Sequence, residues 1–196
     1  KIERQVEYLQ RHPDVGLVYA NGHGVDENGR ILYEIYPPGH REDSDPQRVL
    51  LDCYFLVPNN ALVRKSAFDQ AGPFDETLRA AQDHDMAIRL AEVTRLGYLD
   101  EHLFCYRRHP DSISARRADL RWRNGFRILE KAARRYPYPR SVVRRRRAVL
   151  HFRLGQCALE KGDYFEGWRR MALAGLTDPL RSLRVLAGRE RITSPH

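Results

Sequence analysis

The chain of 196 residues carries 34 Lys and Arg against 26 Asp and Glu, a net charge of +8, and 42% of its residues are apolar. This composition fits a water-soluble globular protein and excludes disordered and collagen-like chains, and no apolar run approaches the roughly 18 residues of a membrane-spanning helix. The three cysteines are widely spaced and form no Cys-x-x-Cys pair, which excludes a zinc ribbon and a disulfide scaffold and favours a reducing compartment.

The charge is divided unequally along the chain. Residues 1–115 hold 13 Lys and Arg and 19 Asp and Glu, a net charge of −6, whereas residues 116–196 hold 21 and 7, a net charge of +14. Such an asymmetry indicates two domains with different neighbours, 1–115 and 116–196. The chain opens at Lys1 without an initiator Met or a signal peptide, so we expect it to be a fragment of a longer protein.

The acidic part alternates short helices with strands, which is typical of the α/β fold class. Few of its strands are placed to pair in parallel, as though a first half were missing. The predicted elements, in chain order, are a helix through Ile2, Val6 and Leu9 that is ended by His12-Pro13, a buried strand at 15–20, a tight hairpin at Asn28-Gly29, a polar mobile loop at 37–45, a helix at 46–51, strands at 55–57 and 61–63, a short helix ending at Gly72, a helix from Gln82 to near Gly97, and a strand at 103–106.

The basic part predicts helices only. Apolar residues recur at helical spacing on both sides of Tyr136-Pro-Tyr-Pro139, and small residues between Leu154 and Ala174 have a spacing that resembles one tetratricopeptide-type helical hairpin. Stable arrays need about three repeats, so we expect a helical appendage packed on the preceding domain. The four consecutive arginines at 144–147 have two interpretations: a solvated helix face with extended side chains, or attraction to anionic lipid headgroups.

Four segments of the acidic part carry a resemblance to a known family. Their order is similar to that in the second half of a family 2 glycosyltransferase of the GT-A fold, and they cover residues 1 to about 115. The segments are KIERQVEYLQRHPDVGLVYANGHGVDENGR, LVRKSAFDQAGPFDETL with its Gly-x-Phe-Asp-Glu loop, QDHDMAIRLA at the start of the acceptor-side helix, and the closing YRRHPDSIS. The resemblance implies an incomplete, Rossmann-like GT-A domain that lacks the N-terminal nucleotide-binding half and its metal-binding Asp-x-Asp motif.

Inverting sugar transfer needs a base that removes a proton from the acceptor hydroxyl. A carboxylate at a helix N-terminus stays ionised and fixed in direction, which suits this task. By resemblance, Asp83 is that base, Asp85 is the supporting carboxylate, and Arg89 orients one of the two. The residues alone leave an alternative, in which Asp83 and Asp85 only cap the helix. The usual Glu of this motif is Gln82 here, which removes a charge beside the base.

The same resemblance implies residues that contact the substrates. Gly72, Phe74 and Asp75 would form a loop lining the acceptor and the donor sugar, although Gly72 is equally explained as a helix C-cap. Gln82 would contact substrate beside the base. Arg107 would pair with phosphate oxygens, with a solvated position as the alternative.

His109 is the candidate metal ligand. By resemblance it would approach the divalent ion, Mg²⁺ or Mn²⁺, that the full-length enzyme uses to stabilise the leaving nucleoside diphosphate. The alternative is an ordinary loop histidine.

The resemblance implies a hexosyltransferase of cell-surface polysaccharide biosynthesis. It would carry a sugar from a nucleotide-sugar donor to a glycan or lipid-linked acceptor, in the cytoplasm or at the inner face of the membrane. Because the Asp-x-Asp and the nucleotide-binding unit are missing, we expect the chain alone to be inactive. The alternative function is a non-catalytic module whose basic tail docks a partner or a membrane. No nucleic-acid partner is expected, since no recognised binding motif accompanies the charge.

Overall fold

The computed structural model of the chain describes residues 1–55, 57, 59–108 and 118–186. These residues divide into two units. The first takes its residues from Lys1–Val49, Cys53–Thr77 and Gln82–Arg116, and the second from Leu50–Asp52, Leu78–Ala81 and Arg117–His196. Two short segments ahead of residue 116 therefore belong with the helices of the second unit.

The described part of the first 115 residues contains four helices and four strands. The mixed content agrees with the predicted α/β class. The helices are α1 (Ile2–Arg11), α2 (Pro46–Leu51), α3 (Lys65–Ala71) and α4 (Gln82–Val93), and the strands are β1 (Val15–Val25), β2 (Ile31–Glu34), β3 (Ala61–Val63) and β4 (Arg95–Arg107).

Strand β1 lies at the centre of a four-stranded mixed sheet. Strand β4 pairs with it in parallel along its whole length. Strand β3 pairs with Leu17–Tyr19 of β1, and strand β2 pairs with His23–Val25 of β1. Both of these pairs are antiparallel. The turn between β1 and β2 is the predicted hairpin, in which Gly29 has a φ of +87°. Asp26 closes this turn by accepting hydrogen bonds from the backbone N–H groups of Asn28 and Arg30.

Several predicted elements differ from the structure, and two boundaries differ because pairing across the sheet overrides the local pattern. Strand β1 continues from Ala20 to Val25 because β2 and β4 extend the ladder. Helix α4 ends at Val93 rather than near Gly97, since the chain from Arg95 onward pairs with β1. The strand expected at 55–57 is wrong, because neither Phe55 nor Val57 belongs to a strand.

The buried side of α1 packs against the sheet. Leu9 joins Val15 and Val18 in one apolar core. Gln5, which is fully buried, donates from Nε2 to the carbonyl oxygen of Asn60 at 2.8 Å and to that of Val18 at 3.3 Å. A buried amide needs such partners, so these two bonds hold α1 against β1 and against the residue that precedes β3.

The described residues from 118 to 186 form helices α5 (Ala118–Arg135), α6 (Arg140–Glu160), α7 (Tyr164–Thr177) and α8 (Pro179–Leu186), in agreement with an all-helical tail. Glycines allow α6 and α7 to approach closely. A Cβ at Gly155 would lie 3.1 Å from the carbonyl oxygen of Gly167. Asp163 caps α7 by accepting from the N–H of Glu166 at 3.1 Å. Within the described residues, no helix has both the length and the apolar character needed to cross a membrane.

One of the four consecutive arginines is not on a solvated face. Arg146 is only 6% exposed, and its Nη1 donates to the carbonyl oxygen of Leu51, the last residue of α2, at 2.7 Å. Arg144, Arg145 and Arg147 are exposed. The solvated interpretation is therefore wrong for Arg146, whose side chain satisfies a helix-end carbonyl.

Candidate functional site

Two buried, oppositely charged side chains lie on α4. Asp85 is 1% exposed and Arg89 is 8% exposed. Nε of Arg89 donates to Oδ2 of Asp85 at 3.0 Å, one helical turn away. Burying either charge alone would cost several kcal/mol, so the two side chains depend on each other.

Arg89 also joins α4 to the end of α3. Its Nη1 donates to the carbonyl oxygens of Ala71 at 2.5 Å and of Gly72 at 3.0 Å. These carbonyls belong to the last turn of α3, where no further intrahelical donor is available. The structure thus brings Asp85, Arg89 and Gly72 together, and the carboxylate that Arg89 orients is that of Asp85.

Asp83 is exposed in the first turn of α4, next to the exposed Gln82. Its Oδ1 accepts a hydrogen bond from the backbone N–H of His84 at 2.8 Å. The carboxylate thus lies at the N-terminal end of α4, where the first backbone N–H groups have no partner within the helix. The preceding residue, Ala81, has a φ of +62°, so the chain turns sharply into the helix.

The loop after α3 is ordered by its own bonds. Gly72 ends the helix with a φ of +78° and a ψ of 172°, a conformation that only glycine adopts easily. Oδ1 of Asp75 accepts from the N–H of Thr77 at 2.9 Å and from its hydroxyl at 2.6 Å. The ring of Phe74, 37% exposed, lies 6.1 Å from that of Phe68.

Arg107 has contacts away from α4. Its Nη1 donates to the carbonyl oxygens of Asp26 at 3.2 Å and Glu27 at 2.5 Å, in the turn between β1 and β2. Its guanidinium therefore holds the hairpin, a structural use that the sequence did not indicate. His109 lies outside the described residues.

The sequence did not indicate a cluster of aromatic and ionisable side chains around Tyr19 of β1. Tyr19, fully buried in the middle of β1, donates to Oε2 of Glu42 at 2.8 Å and lies 2.6 Å from Nε2 of His40. The hydroxyl of Tyr54 donates to the same carboxylate at 2.9 Å. The ring of His40 stacks on that of Tyr36 with centroids 4.5 Å apart. We name Tyr19, Tyr36, His40, Glu42 and Tyr54 the tyrosine cluster.

The tyrosine cluster anchors the loop at 37–45, which was expected to be mobile. Burial raises the pKa of Tyr19, Tyr36 and Tyr54 well above the usual tyrosine range, so these hydroxyls stay protonated and can donate. Burial also lowers the pKa of His40. In the sequence, Tyr19 stands out as a polar group inside an apolar strand, and His40 and Glu42 stand in a later polar loop. This pattern alone does not show that the three side chains contact one another.

Two known proteins are similar to this chain over about half of its length. An uncharacterised glycosyltransferase of Methanocaldococcus jannaschii is 27% identical over 108 residues, which cover 55% of this chain and 37% of that protein. The O-antigen biosynthesis protein RfbC of Myxococcus xanthus is 28% identical over 109 residues, which cover 55% of this chain and 8% of that protein. No protein-family model matches the chain. Across about half of its length, this chain is thus similar to segments of two larger proteins. One of them is named a glycosyltransferase and the other an O-antigen biosynthesis protein.

Proposed function

We propose that this chain is part of a glycosyltransferase that moves a sugar from a nucleotide-sugar donor to a glycan or lipid-linked acceptor, in the synthesis of a cell-surface polysaccharide. The names of the two relatives support the reaction class. The observation that carries the proposal is the first turn of α4, where the exposed carboxylate of Asp83 precedes the buried Asp85–Arg89 pair. The family 2, GT-A assignment rests on the order of the four sequence segments.

In the proposed reaction, Asp83 is the catalytic residue. Its carboxylate accepts the proton of the acceptor hydroxyl while that oxygen forms a bond to the anomeric carbon. The bond from the anomeric carbon to the nucleoside diphosphate breaks, and the configuration inverts. Asp83 acts in this step as a general base. Asp85 and Arg89 are positioning residues, because the pair fixes the start of α4 against the loop at Gly72.

The remaining site residues belong to the same proposal. Gln82, Phe74 and Asp75 would contact the sugars. Gln82 lies on the first turn of α4, and Phe74 and Asp75 lie on the loop that begins at Gly72, whose carbonyl oxygen Arg89 binds. Arg107 would reach a phosphate only by giving up its contacts with the hairpin turn.

The described residues of α4 do not fit a Mg²⁺ or Mn²⁺ centre. Such ions take several oxygen ligands, whereas Oδ2 of Asp85 is bonded to Arg89 and Asp83 offers a single carboxylate. The divalent metal is therefore part of the proposal only for a longer protein that supplies further carboxylates.

The test is Asp83→Asn in the full-length protein, with a panel of nucleotide sugars and a membrane extract as the source of acceptor. Release of nucleoside diphosphate should fall roughly 100-fold or more, as expected for loss of a general base. The matched control is Glu3→Gln, which alters an exposed carboxylate in the first turn of another helix, α1. Undiminished turnover by a folded Asp83→Asn protein would exclude Asp83 as the base.

The exposed face of α7 favours a second candidate function, docking to an anionic membrane surface. Phe165 is 82% exposed, Trp168 is 67% exposed and Leu176 is 79% exposed, and helical spacing places the three on one face. Arg169 is exposed beside them. Aromatic side chains flanked by basic ones are typical of helices that lie in the headgroup region, and the +14 charge of residues 116–196 complements anionic lipid.

Vesicle sedimentation tests this second function. The protein should bind vesicles that contain phosphatidylglycerol more strongly than vesicles of phosphatidylcholine alone, and salt should weaken the binding. The double variant Phe165→Ser, Trp168→Ser should lose most of it, whereas Ile2→Ser, at an exposed apolar residue of α1, should not. Equal binding by the double variant would exclude α7 as the docking face.

A further inference from the structure

Three potential metal ligands meet on three neighbouring strands of the sheet. They are His23 on β1, Glu34 on β2 and His102 on β4, and their ligand atoms all lie within 4.8 Å of one another. We propose that these three side chains form a Zn²⁺ site that ties β2, β1 and β4 together. The proposal does not depend on the glycosyltransferase assignment.

Strand register places the three side chains together. His23 lies directly opposite Glu34 in the antiparallel pair. His102 pairs with Asn21 in the parallel ladder, and β4 carries extra residues on both sides of this position. Such bulges re-aim side chains, and the ring of His102 stacks on that of His23 with centroids 4.2 Å apart and planes 12° from parallel. Nε2 of His102 lies 3.5 Å from Oε1 of Glu34.

The packing of β1 holds these strands in register. Gly22 and Gly24 flank His23, and alternation along the strand directs them to the opposite face. The ring of Phe104 on β4 covers Gly22, and the ring of Tyr33 on β2 covers Gly24, so that neither glycine leaves room for a Cβ. Phe104 and Tyr33 are the direct partners of these glycines in the ladder. Both outer strands are thereby fixed against β1 from the far side, which fixes the backbone positions of the three ligand residues. The stacked rings of His23 and His102 must turn about their side-chain bonds for both to bind one ion.

The donor set selects the kind of ion. Two imidazoles and one carboxylate suit Zn²⁺, which commonly takes three protein ligands and a water molecule. Mg²⁺ and Ca²⁺ prefer oxygen donors throughout, so this site differs in chemistry from the divalent site implied for the full-length transferase. The side chains of His102 and Glu34 are 40% and 46% exposed, which gives an ion direct access from solvent.

Calorimetric titration of the full chain with ZnCl₂ tests the proposal. We expect one Zn²⁺ per chain with a micromolar or tighter Kd, and a rise in Tm on binding because the ion binds only the folded state. His23→Gln and His102→Gln should each weaken binding roughly tenfold or more. The control is His12→Gln, an exposed histidine directly after α1 that stacks on Tyr8. It should bind as the unchanged chain does.

Co²⁺ provides a second measurement in case a histidine variant fails to fold. Bound in this site at low coordination number, Co²⁺ should give intense visible absorption bands, and Glu34→Gln, a change at an exposed side chain, should weaken them. A Kd in the millimolar range for the unchanged chain would overturn the proposal. So would Zn²⁺ affinity that is equal in the unchanged chain, His23→Gln and His102→Gln.

Discussion

Arg89 binds Asp85 one turn earlier on α4, with Nε 3.0 Å from Oδ2, while its Nη1 donates to the carbonyl oxygens of Ala71 and Gly72. One cation therefore satisfies a buried carboxylate and the open end of α3 together. This arrangement sets where α4 starts relative to the loop at Gly72, and so determines where Asp83 is presented.

Replacing Arg89 should cost much of the stability of the first unit. Arg89→Met leaves Asp85 buried without its cation, and breaking such a pair costs about 3–5 kcal/mol. The double variant Asp85→Leu, Arg89→Met should recover part of this loss, because neither charge remains buried. Denaturant unfolding measures both free energies. A single-variant loss below about 1 kcal/mol would show that the pair is not important for stability.

Gly72→Ala should destabilise through the backbone alone. An added Cβ has room, since its nearest neighbour would be Nη1 of Arg89 at 3.7 Å, but the φ of +78° is unfavourable for any side chain. The expected loss is about 1–3 kcal/mol in the free energy of unfolding. Gly175 in α7 is the matched control, because nothing lies within 4 Å of its Cβ position and its φ is not positive. Gly175→Ala should stabilise by about 1 kcal/mol, so opposite signs are expected.

Arg146 should differ from its neighbours in the run of four arginines. Arg146→Met removes the donor to the carbonyl oxygen of Leu51 and should cost about 1–3 kcal/mol. Arg144→Met and Arg147→Met change exposed side chains and should stay within about 0.5 kcal/mol of the unchanged chain. Thermal unfolding of the three variants side by side decides this, and equal effects would contradict the buried role of Arg146.

His40 should make the stability depend on pH. Burial lowers the pKa of His40, Arg48 acts in the same direction, and Glu42, Asp43 and Asp100 oppose them without reversing the shift. An unfolded histidine titrates near pH 6.5. As the pH falls below that value, the unfolded chain binds a proton that the folded chain resists, so the free energy of unfolding decreases.

His40→Asn removes this contribution and tests its size. Between pH 8 and pH 5, the free energy of unfolding of the variant should decline less steeply than that of the unchanged chain. Urea unfolding at several pH values gives both slopes. Because all other titrating groups are common to the two proteins, identical slopes would show that burial of His40 has no effect on stability.

Local features of this protein were predictable from neighbouring residues. The hairpin at Asn28-Gly29, the end of α3 at Gly72 and the helical tail follow from backbone preferences and from apolar spacing, which act within a few residues. Asp83 and Asp85 were likewise placed at the start of a helix from their position beside an apolar repeat.

The tertiary structure alone decided which distant side chains meet. Tyr19 with Glu42, Arg107 with the hairpin turn, Arg146 with Leu51, and the three ligands His23, Glu34 and His102 are brought together by strand register and helix packing. Register depends on pairing between segments far apart in the chain, and shifting it by one residue would move every side chain to the other face. Apolar periodicity shows which face of an element is buried, whereas only the folded sheet determines which charge or ring lies opposite it.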